Sequence, residues 1–133
     1  MKILKVEMKA HGDMKDITDE VRKYVKECDK NEGAVLVFSK GSTGAITTVE
    51  YEPGLKKDFP RVMDKIAPYG DYYEHHKTWN DDNGSSHVKA SIVGPSLIVP
   101  FKDGELMLGV WQQIVVINFD TRDRTREVIL QIL

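Results

Sequence analysis

From residue 88 to the carboxyl end the chain alternates between short apolar runs and short breaks. The runs are Val88–Val93, Ser96–Phe101, Glu105–Val110, Ile114–Phe119 and Arg126–Leu133, separated by 2, 3, 3 and 6 residues. Parallel neighbours in a sheet need a crossover of a dozen or more residues, usually a helix, and none of these breaks has room for one. These strands are therefore expected in mainly antiparallel sheet. The break at Lys102-Asp103-Gly104 even carries the Asp-Gly pair that a tight hairpin uses to reach positive φ. Parallel α/β winding is thereby disfavoured. A (β/α)₈ barrel is excluded by length as well, since 133 residues fall far short of the usual span of about 250.

The first half mixes two periodicities. Leu4, Val6, Met8 and Ala10 alternate with Ile3, Lys5, Glu7 and Lys9, which predicts a strand with one face toward a core. Ile17, Val21, Tyr24, Val25 and Cys28 follow at offsets of 0, 4, 7, 8 and 11, one side of a helix whose start Asp16 or Thr18 can cap. Beyond Gly33, Ala34–Phe38 reads as a buried strand and Ile46–Glu50 as a second, joined by Lys40-Gly41-Ser42-Thr43-Gly44. Leu55, Phe59, Val62, Met63 and Ile66 predict a further helix, with Asp58 and Pro60 placing its regular start near residue 59 and Pro68 stopping it. The expectation is one α+β domain over residues 1–133, with mainly antiparallel β-sheets in a sandwich-like arrangement and two helices in the first half.

Charge and cysteine content narrow the partners. Nineteen Lys and Arg against 21 Asp and Glu leave a net charge of −2, which gives no global field for nucleic acid. Charges interrupt the apolar residues of Met1–Glu7, and no apolar run approaches the 18 residues of a membrane span. A soluble, cytoplasmic protein without nucleic-acid or membrane partners is expected. The single Cys28 excludes a disulfide scaffold, and its place in a helical stripe makes it a small core residue.

Chemistry concentrates in one stretch. Three of the four histidines, His75, His76 and His87, fall between Tyr72 and His87, together with Asp81-Asp82-Asn83-Gly84. Imidazole plus carboxylate is a ligand set for zinc and related ions, and His with Asp is a natural proton-transfer pair. The competing reading is a surface loop in which Asp and Asn satisfy local backbone donors. Residue types alone do not separate the two. A calcium loop is rejected, because placing Gly84 at its sixth position puts Trp79 and Ala90 where carboxylates are required. The Lys40–Gly44 segment has the ingredients of an anion nest but matches neither a Walker A loop nor a Gly-x-Ser-x-Gly elbow, so alone it reads as a turn. Glu50 and Glu52 share a strand face and form a carboxylate pair, or simply a solvated strand end. Trp111-Gln112-Gln113 lines a pocket or forms a hairpin corner with Trp111 in the core, and spacing favours the corner.

Taken together, Tyr73-Glu74-His75-His76, Asp81–Ser91, Pro100–Gly104 and Leu108–Ile114 resemble the corresponding motifs of the YjbQ family, the secondary thiamine-phosphate synthase type. The resemblance covers nearly the whole chain. It implies a sandwich-like subunit that assembles as a homotrimer, with a polar pocket near the subunit interface. Carried onto this sequence, that pocket comprises His75, Asp82, Asn83, His87, Glu50 and Gln112. Many bacterial members have His-Thr-Ser where this chain has Gly41-Ser42-Thr43, so the chain is similar to the archaeal-type branch.

The activity that the resemblance implies joins hydroxymethylpyrimidine diphosphate to a thiazole phosphate and releases pyrophosphate. Such a reaction calls for a divalent metal, Mg or Zn, and for donors to the phosphate oxygens. In that reading His75, His87, Glu50 and Asp82 are catalytic, and His75, His87 and Asp82 hold the metal. Ser42, Thr43, Asn83, Lys89 and Gln112 bind the phosphorylated ligand. The alternatives are a non-catalytic protein that binds a metal or a phosphorylated ligand, and a metal-dependent hydrolase. At 133 residues the subunit is short for enclosing a substrate alone, so a neighbouring chain is expected to complete the site.

Overall fold

The run Ile114–Ile117 is apolar without interruption because both faces of its strand are covered. In the computed structural model, which describes residues 1–133, the chain begins β1 (Lys2–Met8), β2 (Asp13–Asp16), α1 (Thr18–Lys26), β3 (Glu32–Lys40), β4 (Gly44–Val49) and α2 (Pro53–Ile66). It continues α3 (Glu74–Trp79), α4 (Gly84–Val93), β5 (Ser96–Lys102), β6 (Glu105–Leu106), β7 (Gln113–Asn118) and β8 (Arg124–Ile132). A five-stranded sheet in the order β1-β8-β3-β5-β6 packs on a three-stranded sheet in the order β2-β7-β4, and all pairings are antiparallel.

Strand alternation divides β7 between two cores. Ile114 and Val116 face the space between the sheets, where Val35, Val37, Val99, Val128 and Leu130 meet Val21 and Val25 of α1. Val115 and Ile117 face the other way, toward Met63 of α2 and Ala90 of α4. All four β7 residues have no exposed surface. Each such side chain contributes about 1.5–3 kcal/mol by burial, so β7 anchors all three layers. No helix is long and apolar enough to cross a membrane.

The α+β class and the antiparallel sheets agree with expectation, but the helix count does not. Four helices form, two of them in the stretch expected to be loop and strand. Residues 88–93 belong to α4 because the inward positions are Ser85, Ser86, Lys89 and Ala90, a helical spacing, while Val88 and Ile92 point outward. Helix α2 starts at Pro53, not near residue 59. The Glu52 side chain caps it by accepting from the N–H groups of Gly54 and Leu55, and Pro60 sits inside the helix. Glu52 is thus spent on a helix start and does not pair with Glu50. The strand expected over residues 105–110 ends at Leu106, and Trp111 is 72% exposed, so it occupies no core.

Candidate functional site

Helices α3 and α4 meet at a sharp turn that gathers the histidines. Asn80 ends α3 with φ 53°, a left-handed conformation that Asn tolerates better than most residues. The reversal brings the rings of His75 and His87 to 4.4 Å between centroids. Behind them His76 Nε2 accepts the Gly84 N–H at 3.0 Å and ties the two helices together. Gly84 is required there, since a Cβ at this position would lie 2.4 Å from Cβ of Tyr73.

His75 has a partner for each protonation state. Its Nε2 lies 3.4 Å from a carboxylate oxygen of Asp81 and 3.1 Å from the Asn83 amide. Oriented with its nitrogen inward, that amide donates to both Asp81 oxygens, at 3.1 and 3.2 Å, and to His75 Nε2 at 3.1 Å. Neutral His75 then accepts from Asn83, whereas protonated His75 pairs with Asp81. At His87, burial and then the neighbouring His75 push the imidazole below its ordinary pKa. Asp120, Asp81 and a backbone hydrogen bond at Ser42 oppose that shift without reversing it. His87 thus stays neutral further into acid than a free histidine.

A buried network fixes the Gly41–Gly44 turn beside His87. Asp120, 1% exposed, accepts from Thr43 Oγ1 at 3.1 Å and from Arg124 Nε at 2.8 Å. Arg126 donates to Thr43 Oγ1 at 2.6 Å and to the Asn118 side chain. Burial alone would raise the Asp120 carboxyl, but Arg124, the Thr121 N–H and Thr43 hold it below the usual carboxylate range. Gly41 has φ +122°, a conformation that favours glycine, with Arg126 packed 3.1 Å from where its Cβ would be.

The expected site residues therefore divide. His75, His87 and Asn83 come together, with Ser42 exposed next to His87 and Thr43 committed to the Asp120–Arg126 network. Asp82 turns away and accepts from Thr121 Oγ1 at 3.0 Å, while Asp81 takes the place beside His75. Lys89 is 1% exposed, its ammonium 3.1 Å from Asp64 and 3.2 Å from the Tyr69 ring centroid. It is held inside the fold and is not a free surface donor. Glu50 and Gln112 lie at the far end of β4, whose six residues span about 20 Å. There Gln112 donates to Thr48 Oγ1 at 3.2 Å and accepts the Gly109 N–H at 3.0 Å.

The residues expected to hold a divalent ion are not gathered at one point within a single subunit. No three His, Cys, Asp or Glu side chains converge on one point, and the His75, His87 and Asp82 triad is broken by the turn of Asp82 toward Thr121. Sequence reasoning missed Asp81, Asp120 and Arg126. Asp81 stands next to Asp82 and only the turn at Asn80 decides between them. The Asp120 and Arg126 side chains are linked through Thr43, which donates to the one and accepts from the other, a connection made by the packing of the two sheets that leaves no local signal.

Residues 2–133 match the model of the family described as UPF0047 protein YjbQ-like. A UPF0047 protein of Archaeoglobus fulgidus is 42% identical over 118 residues, 89% of each chain. The UPF0047 protein YugU of Bacillus subtilis is 35% identical over 127 residues, 94% of each chain. Among solved structures, a YbjQ-like protein of unknown function from Sulfolobus solfataricus superposes with a TM-score of 0.91 at 27% identity, covering 98% of this chain and 94% of that one. An uncharacterised YjbQ/UPF0047 protein from Clostridium acetobutylicum gives 0.90 at 30% identity, with both chains fully covered.

Proposed function

Because the chain belongs to the UPF0047, YjbQ-like family, we propose that it is a small cytoplasmic homotrimeric enzyme with weak thiamine-phosphate synthase-type activity. In this reading hydroxymethylpyrimidine diphosphate is joined to a thiazole phosphate, with release of pyrophosphate, at the His75–His87 pair. The observation that carries it is the pair itself. Two imidazoles lie 4.4 Å apart, His87 favoured in its neutral form by burial and His75 placed beside the Asp81 carboxylate. The attacking thiazole nitrogen has no proton to lose, so the pair's role is to give a proton to the pyrophosphate oxygen as the C–O bond breaks.

The trimer enters because one subunit separates the two halves of the expected pocket. Glu50 and Gln112 can act with His75 and His87 only if a neighbour supplies them. Val88, Ile92, Val110 and Trp111 are exposed large apolar residues, the surface that assembly would cover.

The decisive assay supplies both thiamine precursors to wild type, His75→Ala and His87→Ala. Loss of a proton-transfer group lowers the rate by about 10²-fold or more; equal product formation by the wild type and His87→Ala refutes the assignment. Mixing Glu50→Ala with His87→Ala subunits then restores about a quarter of the native sites if each site is shared between neighbours of a closed ring. No recovery on mixing refutes sharing. A second reading, a non-catalytic binder of a phosphorylated ligand, draws support from the partial exposure of the histidine pair on the subunit surface. It predicts saturable phosphate binding without turnover.

A further inference from the structure

Within one subunit an uncharged cleft lies away from the histidines. Where β4 and β5 part, at the open side of the sandwich, this cleft of about 310 Å³ runs between the two sheets. Ile46, Val99, Leu97 and Leu108 form its apolar lining, with Ile46 and Val99 buried in the inter-sheet core. None of its lining residues is charged; the polar ones are hydroxyls of Thr47, Thr48 and Ser96 and the amide of Gln112. In a chain with 30% charged residues, a cleft without a single charge selects against ions, because nothing there offsets their dehydration.

The backbone supplies paired donors and acceptors. Ile46 turns its N–H away from β7, bonding the Gly94 carbonyl at 3.1 Å. By strand alternation Thr48, two residues on, presents its N–H and C=O in the same direction, from an edge strand. On the opposite wall the Pro100 carbonyl accepts the Met107 N–H at 2.9 Å, so Ile98 directs its N–H and C=O outward likewise, beyond the end of β6 pairing. Gln112 uses one amide hydrogen on Thr48 Oγ1 and keeps a second. An adjacent N–H and C=O pair is the complement of a carboxamide.

We propose that this cleft binds a planar, uncharged ring carrying an amide-like donor–acceptor pair, the ring between the apolar walls and the amide on the strand edge at Thr48 or Ile98. The size agrees, since the volume stands at the lower end of small-molecule sites, about 300–1,000 Å³. The contacts named here lie within one subunit and do not rest on the His75–His87 pair, although Gln112 also belongs to the shared pocket proposed above.

The test titrates the uniformly ¹⁵N-labelled full chain, in its purified assembly, with nicotinamide and with its charged counterpart nicotinate. Nicotinamide is expected to shift the amide signals of Thr48, Ile98 and Gln112 saturably, with a Kd of about a millimolar for so small a ligand. Nicotinate is expected to bind at least about tenfold more weakly. Ser96→Lys places a cation on the rim at an exposed position and should reverse that preference. Shifts centred on His75 and His87, equal binding of the two probes, or no saturation each overturn the proposal.

Discussion

Lys89 and Asp64 offer a test in which the two halves of one ion pair respond unequally. The Lys89 ammonium is 1% exposed, whereas the Asp64 carboxylate is 50% exposed. Burial pulls the Lys89 pKa down and Asp64 partly restores it; the Asp64 carboxyl is lowered by the Tyr69 backbone N–H and by Lys89. Lys89→Met keeps the aliphatic stem and removes the charge. It loses a charged hydrogen bond of about 1.5–3 kcal/mol, reduced by solvent at Asp64, and a cation–π contact of about 2 kcal/mol. It also removes the cost of dehydrating an ammonium, which is itself several kcal/mol. These offset, and a net change within about 1 kcal/mol is expected. Asp64→Ala leaves the ammonium enclosed without its carboxylate, a change that costs about 3–5 kcal/mol for a fully buried pair. Water can approach on the Asp64 side, so the lower end, about 3 kcal/mol, applies here. Urea unfolding followed by circular dichroism, at one fixed protomer concentration, measures both. The double variant should cost little more than Lys89→Met. If Lys89→Met destabilises as much as Asp64→Ala, the ammonium stabilises the fold outright and the reasoning fails.

Gly84→Ala should lower the melting temperature by several degrees and shift the signals of Tyr73 and His76, because the new Cβ meets Tyr73 at 2.4 Å. An unchanged spectrum would contradict the packing of α3 on α4. His87 binds its proton more weakly in the folded chain than at its ordinary value of 6.5. Its contribution is therefore fully present above pH 6.5 and is lost as pH falls toward the lower folded value. Urea midpoints at about pH 7.5 and 5.5 should differ less for His87→Gln than for wild type, and equal differences would remove His87 as their source. Light scattering on the eluting protein should give three times the 15.1 kDa chain mass, and a monomer would end the shared-site reading.

Much of the sheet was legible because its residues obey one rule at a time. The alternation of Leu4, Val6 and Met8 and the short breaks after residue 94 mark β1, β5, β7 and β8 as strands of antiparallel sheet, but not that β7 leaves its chain neighbours to pair with β2 and β4 in the second sheet. Helix α4 was not legible, since its inward face is Ser85, Ser86 and Lys89 and its outward face carries Val88 and Ile92, the reverse of an ordinary amphipathic helix. Local pattern reads such a segment as a strand. Only tertiary partners explain it: the Ala67 carbonyl accepts Ser85 Oγ, and Asp64 and Tyr69 receive Lys89. The histidine cluster was legible as a composition, but not which of Asp81 and Asp82 belongs to it.

The inverted polarity of α4 and the division of the site point to the same cause. A helix that places its polar residues inward and its apolar ones outward stabilises the subunit poorly on its outer face, which leaves Val88 and Ile92 to water. The same subunit leaves Val110 and Trp111 exposed next to Gln112, about 20 Å along β4 from His87. Each defect is removed if neighbouring copies cover the apolar surfaces and carry the Gln112 end of one chain to the His87 end of the next. Assembly then contributes both the missing burial and the missing half of the pocket. Substitutions that weaken the interface, such as Ile92→Asp, should lower activity and stability together, whereas His87→Ala should lower activity far more than stability.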